Sequence, residues 1–162
     1  MPPAPRLKVT VDEQHLTRLC EKLCVSEPKY RIMPGGRRTS VKGEEKNMRV
    51  AGDYCRLKKE IRIYLDLDGF LERESLRVVN SELVTTFLHE LRHHWQEASW
   101  TEEQWKADDA LPYRLKKAEI DANEWSAANQ MDNRRLIIAA RKFQGGGFSR
   151  LQQTTTRIQR NV

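Results

Sequence analysis

Residues 85–96 of the 162-residue chain read TTFLHELRHHWQ, and this stretch decides the fold that the sequence predicts. Apolar residues recur through it and just before it at helical spacing, and they form one stripe: Leu83, Val84, Phe87, Leu88, Leu91 and Trp95. His89 and His93 fall on the opposite side of the helix, about 40° apart. The pattern predicts a helix, capped by Asn80 and ending near Trp95 or Glu97, with one core face and two imidazoles on the other.

The two histidines belong to the sequence H-E-L-R-H, which is the HExxH pattern found in zinc metalloproteases. Residues four apart are neighbours on a helix, so both rings can reach one ion. Glu90 lies beside the pair, where a carboxylate can hold a water without binding the metal. The pattern therefore predicts zinc at His89 and His93, with Glu90 as general base. Two ordinary histidines on a solvated helix face are the alternative.

A catalytic zinc needs a third protein ligand, and a second helix, predicted from Pro112 to at least Asn129, offers acidic candidates. One side of this helix carries mostly small residues, suited to close packing: Leu115, Ala118, Ala122, Trp125, Ser126 and Asn129. Glu119 lies nearest to that side, and Asn123, one turn later on the same flank, can orient a ligand. The position of Glu119 beside the packed side of the helix favours it as the third ligand, and Asp121 is the alternative.

Strands are predicted before the histidine helix. Residues 61–67 alternate between apolar and polar, which is typical of a strand with one buried face, and residues 50–57 are also strand-like. Lys58-Lys59-Glu60 can form a hairpin turn between them. Three further helices are predicted. One covers residues 12–24, a short one begins at the capping-box sequence Thr101–Gln104, and one covers Arg134–Phe143. Together these elements predict an α+β domain.

The basic charge of the chain is concentrated at its C-terminal end. The formal net charge is +6, and only basic charges follow Asp132. Gly145-Gly146-Gly147 and the weak periodicity beyond it predict one domain over residues 1–144 and a basic tail, a candidate for disorder, over 145–162. Such a tail could contact nucleic acid in a salt-dependent way, although a solvated tail is the commoner explanation.

Cysteine usage and hydropathy predict the cellular compartment. The three cysteines are an odd number, so reduced, buried thiols in a cytoplasmic protein are expected. Cys20 and Cys24 share a helix face, but a metal site there is disfavoured because a second pair is missing. No apolar run approaches membrane-spanning length, and the first residues lack the layout of a secretory signal.

The order of these elements resembles the ImmA/IrrE family of gluzincin-like metallopeptidases. The resemblance rests on three features in this order: a strand hairpin, a helix with HExxH, and a second helix with E-x-[DE]-A-N followed by an aromatic residue. The matching residues are His89–His93 and Glu119–Trp125, and the match covers roughly residues 50 to 130. The chain departs from the family in having Trp125 where phenylalanine is usual, and in lacking the apolar run and proline that commonly end the motif.

The resemblance implies a zincin-like minimal metallopeptidase, in which a small antiparallel sheet packs on the HExxH helix and a second ligand-bearing helix. It implies zinc bound by His89, His93 and Glu119, and Glu90 as the base. The expected reaction is hydrolysis of a specific protein partner, with a transcriptional repressor as the typical substrate of the family.

Several points stay open at the level of sequence. The stabiliser of the oxyanion is one of Tyr113, Arg114 and His94. The edge of the 50–67 hairpin could bind an extended substrate by strand addition. Two alternatives to a metallopeptidase stay open. One is a zinc-bearing regulatory or binding module that does not hydrolyse a substrate and whose basic tail contacts nucleic acid. The other is an inert helical protein without metal. The oligomeric state is not predicted.

Overall fold

The structure is a computed structural model, and it describes residues 6–33, 50–65 and 74–142. Within these ranges the strands are β1 (Arg6–Val11), β2 (Lys29–Met33), β3 (Val50–Cys55), β4 (Glu60–Leu65) and β5 (Ile137–Lys142). The α-helices are α1 (Glu13–Leu23), α2 (Leu76–Ser99), α3 (Glu102–Asp109) and α4 (Lys117–Asn129). Helices and small sheets together agree with the predicted α+β class. The predicted tail, residues 145–162, lies outside the described residues.

The predicted hairpin is confirmed as strands β3 and β4, which pair antiparallel. The turn between them contains Lys59 in the left-handed region, at φ 49°. Ile61 and Ile63 of β4 are fully buried, as predicted, but Tyr64 and Leu65 are each only 6% exposed, so β4 is buried on both faces and not on one. The sheet is not purely antiparallel, however, because β2 pairs parallel with β4 on its other side. The resulting order is β2-β4-β3, so β2 and β3 are the two outer strands of this sheet.

The histidine helix is α2, and it begins earlier than predicted. Ser75 is the N-cap, and its side chain accepts a hydrogen bond from the Val78 amide at 3.3 Å. Asn80, the predicted cap, lies inside the helix and accepts a hydrogen bond from the Ala139 amide. The predicted apolar stripe is buried except for Trp95, which is partly exposed. The five buried residues of the stripe pack in one core with strand residues Ile61, Ile63, Leu65 and Ile137.

The prediction of a helix over Arg134–Phe143 was wrong. Residues Ile137–Lys142 form β5, which pairs antiparallel with β1. Ile137 is fully buried and Ala139 is 3% exposed, whereas Ile138 between them is 44% exposed, which is the alternation of a strand. The partner strand lies more than a hundred residues earlier in the chain, so local periodicity could not reveal the pairing.

Helix α4 is shorter than the helix predicted from Pro112. Tyr113–Leu115 form a turn of 3-10 helix, and α4 itself begins at Lys117. The residues that α4 buries are small (Ala118, Ala122 and Ser126), which allows it to lie close against α2. Leu115, predicted in that buried stripe, is 59% exposed because it precedes the helix.

All three cysteines are free thiols. Cys20 is buried, but Cys24 is exposed at the left-handed C-cap of α1 and Cys55 is half-buried. The prediction of buried thiols is therefore right for Cys20 alone. None of the described helices is long and apolar enough to cross a membrane.

Candidate metal centre

The two histidines of α2 lie face to edge on the same side of the helix. Their ring centroids are 4.7 Å apart, and the Nε2 atoms of His89 and His93 are 3.0 Å apart. One helical turn separates them, which is the neighbour relation expected for positions i and i+4. Their side chains are 17% and 14% exposed, so the pair is mostly buried but reaches solvent.

Glu119 brings a carboxylate to both rings from the neighbouring helix. It is in the first turn of α4, with Oε2 at 3.1 Å from Nε2 of His89 and Oε1 at 3.3 Å from Nε2 of His93. The donor atoms of the three residues all lie within 4.8 Å of one another. Within the described ranges this is the one group of three or more His, Cys, Asp or Glu side chains that could hold a metal ion.

Asp121, the alternative ligand, has other partners. Its carboxylate accepts two hydrogen bonds from Arg92, at 2.7 and 3.1 Å, and one from Gln96 at 2.8 Å. These contacts lower the pKa of Asp121, against the opposing effect of burial. Asp121 therefore links α4 to α2 beside the histidines, whereas Glu119 is the acid that contacts both histidine rings.

The start of α4, where Glu119 lies, is held by an acidic side chain of α3. Asp108 is 3% exposed and accepts hydrogen bonds from the amides of Lys117 at 2.5 Å and Ala118 at 3.2 Å. It thereby satisfies two of the free N–H groups at the helix N-terminus. The role of Asp108 was not predicted from the sequence, because a cap supplied from another element leaves no local signal.

Glu90 lies beside the histidine pair in a confined position. It is 6% exposed, and it lines the same cleft as His89, His93 and Glu119. Burial raises the pKa of Glu90 to about 7, although the nearby His93 and His89 act in the opposite direction. A carboxyl group so placed can both accept and return a proton near neutral pH.

The electrostatics of the group favour a negative Glu119. Burial alone would lower the pKa of His93, but the hydrogen bond to Glu119 and the charges of Glu90 and Glu119 outweigh it and raise that pKa to about 9. Hydrogen bonds from His89 and His93, with the charges of both rings, hold the pKa of Glu119 far below its usual range despite burial. A metal bound at this group would therefore have to displace a proton from the ring of His93.

The three donors open into a cleft of about 300 Å³. One wall is formed by strand β3, at Gly52, Asp53 and Tyr54. Another part of the lining comes from α3 and the segment that follows it, and includes Trp105, Asp109, Tyr113 and Lys116. The cleft therefore has room for several atoms of a ligand beside the three donors.

The remaining candidates from the sequence have different positions. Tyr113 is half-exposed at the rim of the cleft and donates a hydrogen bond from its hydroxyl to Oε2 of Glu119 at 3.1 Å. Asn123 is exposed, and its main-chain carbonyl accepts a hydrogen bond from the Ser126 hydroxyl. Arg114 is exposed in the 3-10 turn.

His94, the third oxyanion candidate, is a core residue. It is 3% exposed, and both ring nitrogens have partners 2.7 Å away, the carbonyl of Ser26 and the hydroxyl of Tyr54. The carbonyl can only accept, so Nε2 donates to Ser26 and Nδ1 faces Tyr54. His94 thus ties α2 to the segment before β2 and to β3.

Comparisons with known proteins assign no family to this chain. No protein-family model matches it, and no curated protein and no solved structure matches it either. The resemblance to the ImmA/IrrE family therefore rests on the residues of its two motifs, and it stays a prediction.

Proposed function

We propose that this protein is a zinc-dependent metallopeptidase with a zincin-like site, similar to the ImmA/IrrE family, and that it cleaves a specific protein partner. One observation carries the proposal: two histidine nitrogens and a carboxylate converge while the carboxylate of Glu90 lies buried in the same cleft. Two histidines with one glutamate form a known donor set of catalytic zinc sites.

The spacing of the donors supports zinc as the metal. Zinc lies about 2.0–2.2 Å from nitrogen and oxygen ligands, so tetrahedral donors around it are about 3.3–3.6 Å apart. The two ring nitrogens are 3.0 Å apart, Nε2 of His89 is 3.1 Å from Oε2 of Glu119, and Nε2 of His93 is 3.3 Å from the other carboxylate oxygen, Oε1. These separations are near the tetrahedral spacing, so the group is compact enough to surround one ion.

The chemistry would divide between the metal and the chain. Bound zinc would polarise the scissile carbonyl and lower the pKa of a water molecule, so that hydroxide is available near neutral pH. Glu90 would accept the proton of the attacking water and pass it to the leaving amine. Tyr113, whose hydroxyl is 3.1 Å from Glu119, is the candidate donor to the oxyanion.

The substrate that fits the cleft is an extended segment of a protein. Strand β3 is an outer strand of the three-stranded sheet and lines the cleft with three consecutive residues. An extended peptide could add to this edge through main-chain hydrogen bonds and lie across the three donors. By the resemblance, a transcriptional regulator is the partner to test first.

The metal is tested by measuring zinc content in matched variants of the purified protein. We expect one zinc per chain in the wild type, none in His93→Ala, and weakened binding in Glu119→Ala. Glu124→Ala is the control, because Glu124 lies on the same helix but is exposed. Equal zinc content in all four proteins, or none in the wild type, would overturn the proposed metal centre.

Hydrolysis is tested separately with Glu90→Gln. The amide keeps the shape of Glu90 but cannot accept a proton, so zinc and fold should persist while cleavage falls by about a hundred- to ten-thousandfold. The comparison is made in cells, by searching for cut proteins that appear with the wild type and not with Glu90→Gln. Cleavage products that appear equally with both would rule out Glu90 as the base. A zinc-loaded wild type that cuts nothing would favour the non-hydrolytic regulatory module.

A further inference from the structure

Gln96 is a fully buried polar side chain that lies between the two helices of the metal centre. It is 0% exposed on α2, three residues after His93. Its amide nitrogen is 2.9 Å from the carbonyl of Ala118 and 2.8 Å from Oδ2 of Asp121, both on α4. Its amide oxygen is 2.8 Å from Nδ1 of His93. Burying an amide is costly unless its hydrogen bonds are made, and here every group has a partner.

These partners determine which way the amide of Gln96 faces. The carbonyl of Ala118 and the ionised carboxylate of Asp121 can only accept hydrogen bonds, so the NH2 group must be directed at them. The oxygen of Gln96 is then directed at His93, and it can only accept. Nδ1 of His93 must therefore carry a proton, which leaves Nε2, the atom facing His89 and Glu119, as the nitrogen available to a metal.

The orientation of Gln96 is supported by a second layer of contacts. Arg92 binds the carboxylate of Asp121 through two hydrogen bonds, which keeps it ionised. The guanidinium of Arg92 is in turn stacked 3.8 Å from the ring centroid of Trp95 and lies 5.3 Å from that of Trp125. The cation, the carboxylate and the amide form one continuous network that ends on His93.

Gln96 also touches the helix that carries the third donor. The carbonyl it binds belongs to Ala118, the residue directly before Glu119. One side chain thus contacts a ring of the histidine pair and the backbone next to the carboxylate. Removing it would release both the ring orientation of His93 and the register of α4 against α2.

We propose that Gln96 is a positioning residue of the metal centre: it holds His93 with Nδ1 protonated and Nε2 facing the ion, and it sets the position of Glu119. This inference rests on the metal centre of the proposed function, but not on hydrolysis. Groups that bind the second nitrogen of a metal-ligating histidine typically contribute about tenfold to a hundredfold in metal affinity.

The affinity test uses Gln96→Met, which keeps the length of the side chain and removes its hydrogen bonds. The matched control is Gln130→Met, because Gln130 also links α4 to α2, through Ser81, but does not contact the histidines. Zinc dissociation constants are measured by competition with a chromogenic chelator, and circular dichroism checks the fold. We expect Gln96→Met to bind zinc about ten- to a hundredfold more weakly than wild type, and Gln130→Met to be unchanged.

The second measurement reads the ring of His93 directly and needs only the wild type. In ¹⁵N-labelled, zinc-loaded protein, His93 should show a protonated Nδ1 whose hydrogen exchanges slowly, with Nε2 bound to the metal. Zinc bound through Nδ1 would overturn the proposal, as would an equal dissociation constant for Gln96→Met and wild type. Both results leave the metal centre standing, whereas a wild type that binds no zinc would remove the centre and the proposal together.

Discussion

Gly52 of β3 lies directly against Glu90 of α2. A Cβ atom at Gly52 would be 3.0 Å from Cγ of Glu90, 2.8 Å from Cγ2 of Thr86 and 3.2 Å from the carbonyl oxygen of Arg62. Only a residue without a side chain allows the strand this close to the helix. The wall of the cleft and its proposed base are therefore positioned by the same contact.

The first prediction concerns this contact. Gly52→Ala should force β3 and α2 apart and destabilise the domain by about 1–3 kcal/mol. Cleavage should fall more than zinc binding, because the donors lie on α2 and α4 and not on the strand. Urea unfolding measures the stability, zinc content measures metal binding, and the comparison of cut proteins in cells measures cleavage.

The double variant Gly52→Ala/Thr86→Ser is the control for that steric argument. Serine lacks the Cγ2 atom of Thr86, which is the nearest atom to the added methyl group. The double variant should recover part of the stability lost by Gly52→Ala. If it is no more stable than the single variant, the close approach is not the cause.

The second prediction concerns the cap that α3 supplies to α4. Asp108→Ala removes the acceptor of two helix N-terminal amides and should lower the free energy of unfolding by about 0.5–2 kcal/mol. Zinc binding should weaken as well, because Glu119 lies in the first turn of that helix. Chemical denaturation and chelator competition measure these changes.

Asp109→Ala is the matched control for the cap. Asp109 is 63% exposed and makes one ion pair with Lys116 at 3.7 Å. An exposed pair of this kind contributes little to stability. If Asp108→Ala and Asp109→Ala lowered the free energy of unfolding and the zinc affinity by similar amounts, a specific cap by Asp108 would be contradicted.

The third prediction is the order in which the cysteines react. Burial, with the nearby negative charge of Glu27, raises the pKa of the Cys20 thiol to about 11. At pH 8 Cys20 is therefore almost entirely the unreactive thiol, and its rate should increase as the pH rises towards 11. A thiol reagent should label exposed Cys24 first, half-buried Cys55 second and Cys20 last.

Mass mapping of the labelled peptides over time measures this order. In denaturant, burial is lost and the three cysteines should react at similar rates. Rapid labelling of Cys20 in the native protein would contradict its place in the core.

The fourth prediction concerns the basic tail. In a chain that ends at Gln144, β5 keeps its full pairing with β1 through Lys142. Zinc content and the temperature of unfolding should therefore match those of the full chain. Unfolding of the shortened chain would show that residues beyond 144 belong to the core.

The sequence alone predicted the elements whose stabilisation is local. The histidine helix, its buried face and its two neighbouring imidazoles follow from a period of 3.6 residues. The β3–β4 hairpin follows from alternation around a short turn, and α3 from the capping box of Thr101 and Gln104, which the structure contains. In each of these the residues that interact are close in sequence, so a pattern records them.

The tertiary structure alone decided the contacts between distant segments. Residues 137–142 became a strand because β1 is available to pair with them, and β2 joined β4 in parallel. The side of the helix on which each acid lies could only favour Glu119 over Asp121. The packing of α4 on α2 decides between them, because it places Glu119 against the histidines and Asp121 against Arg92. Gln96 is hidden from any local pattern for the same reason, because its partners on α4 are specified by helix packing and not by spacing along the chain.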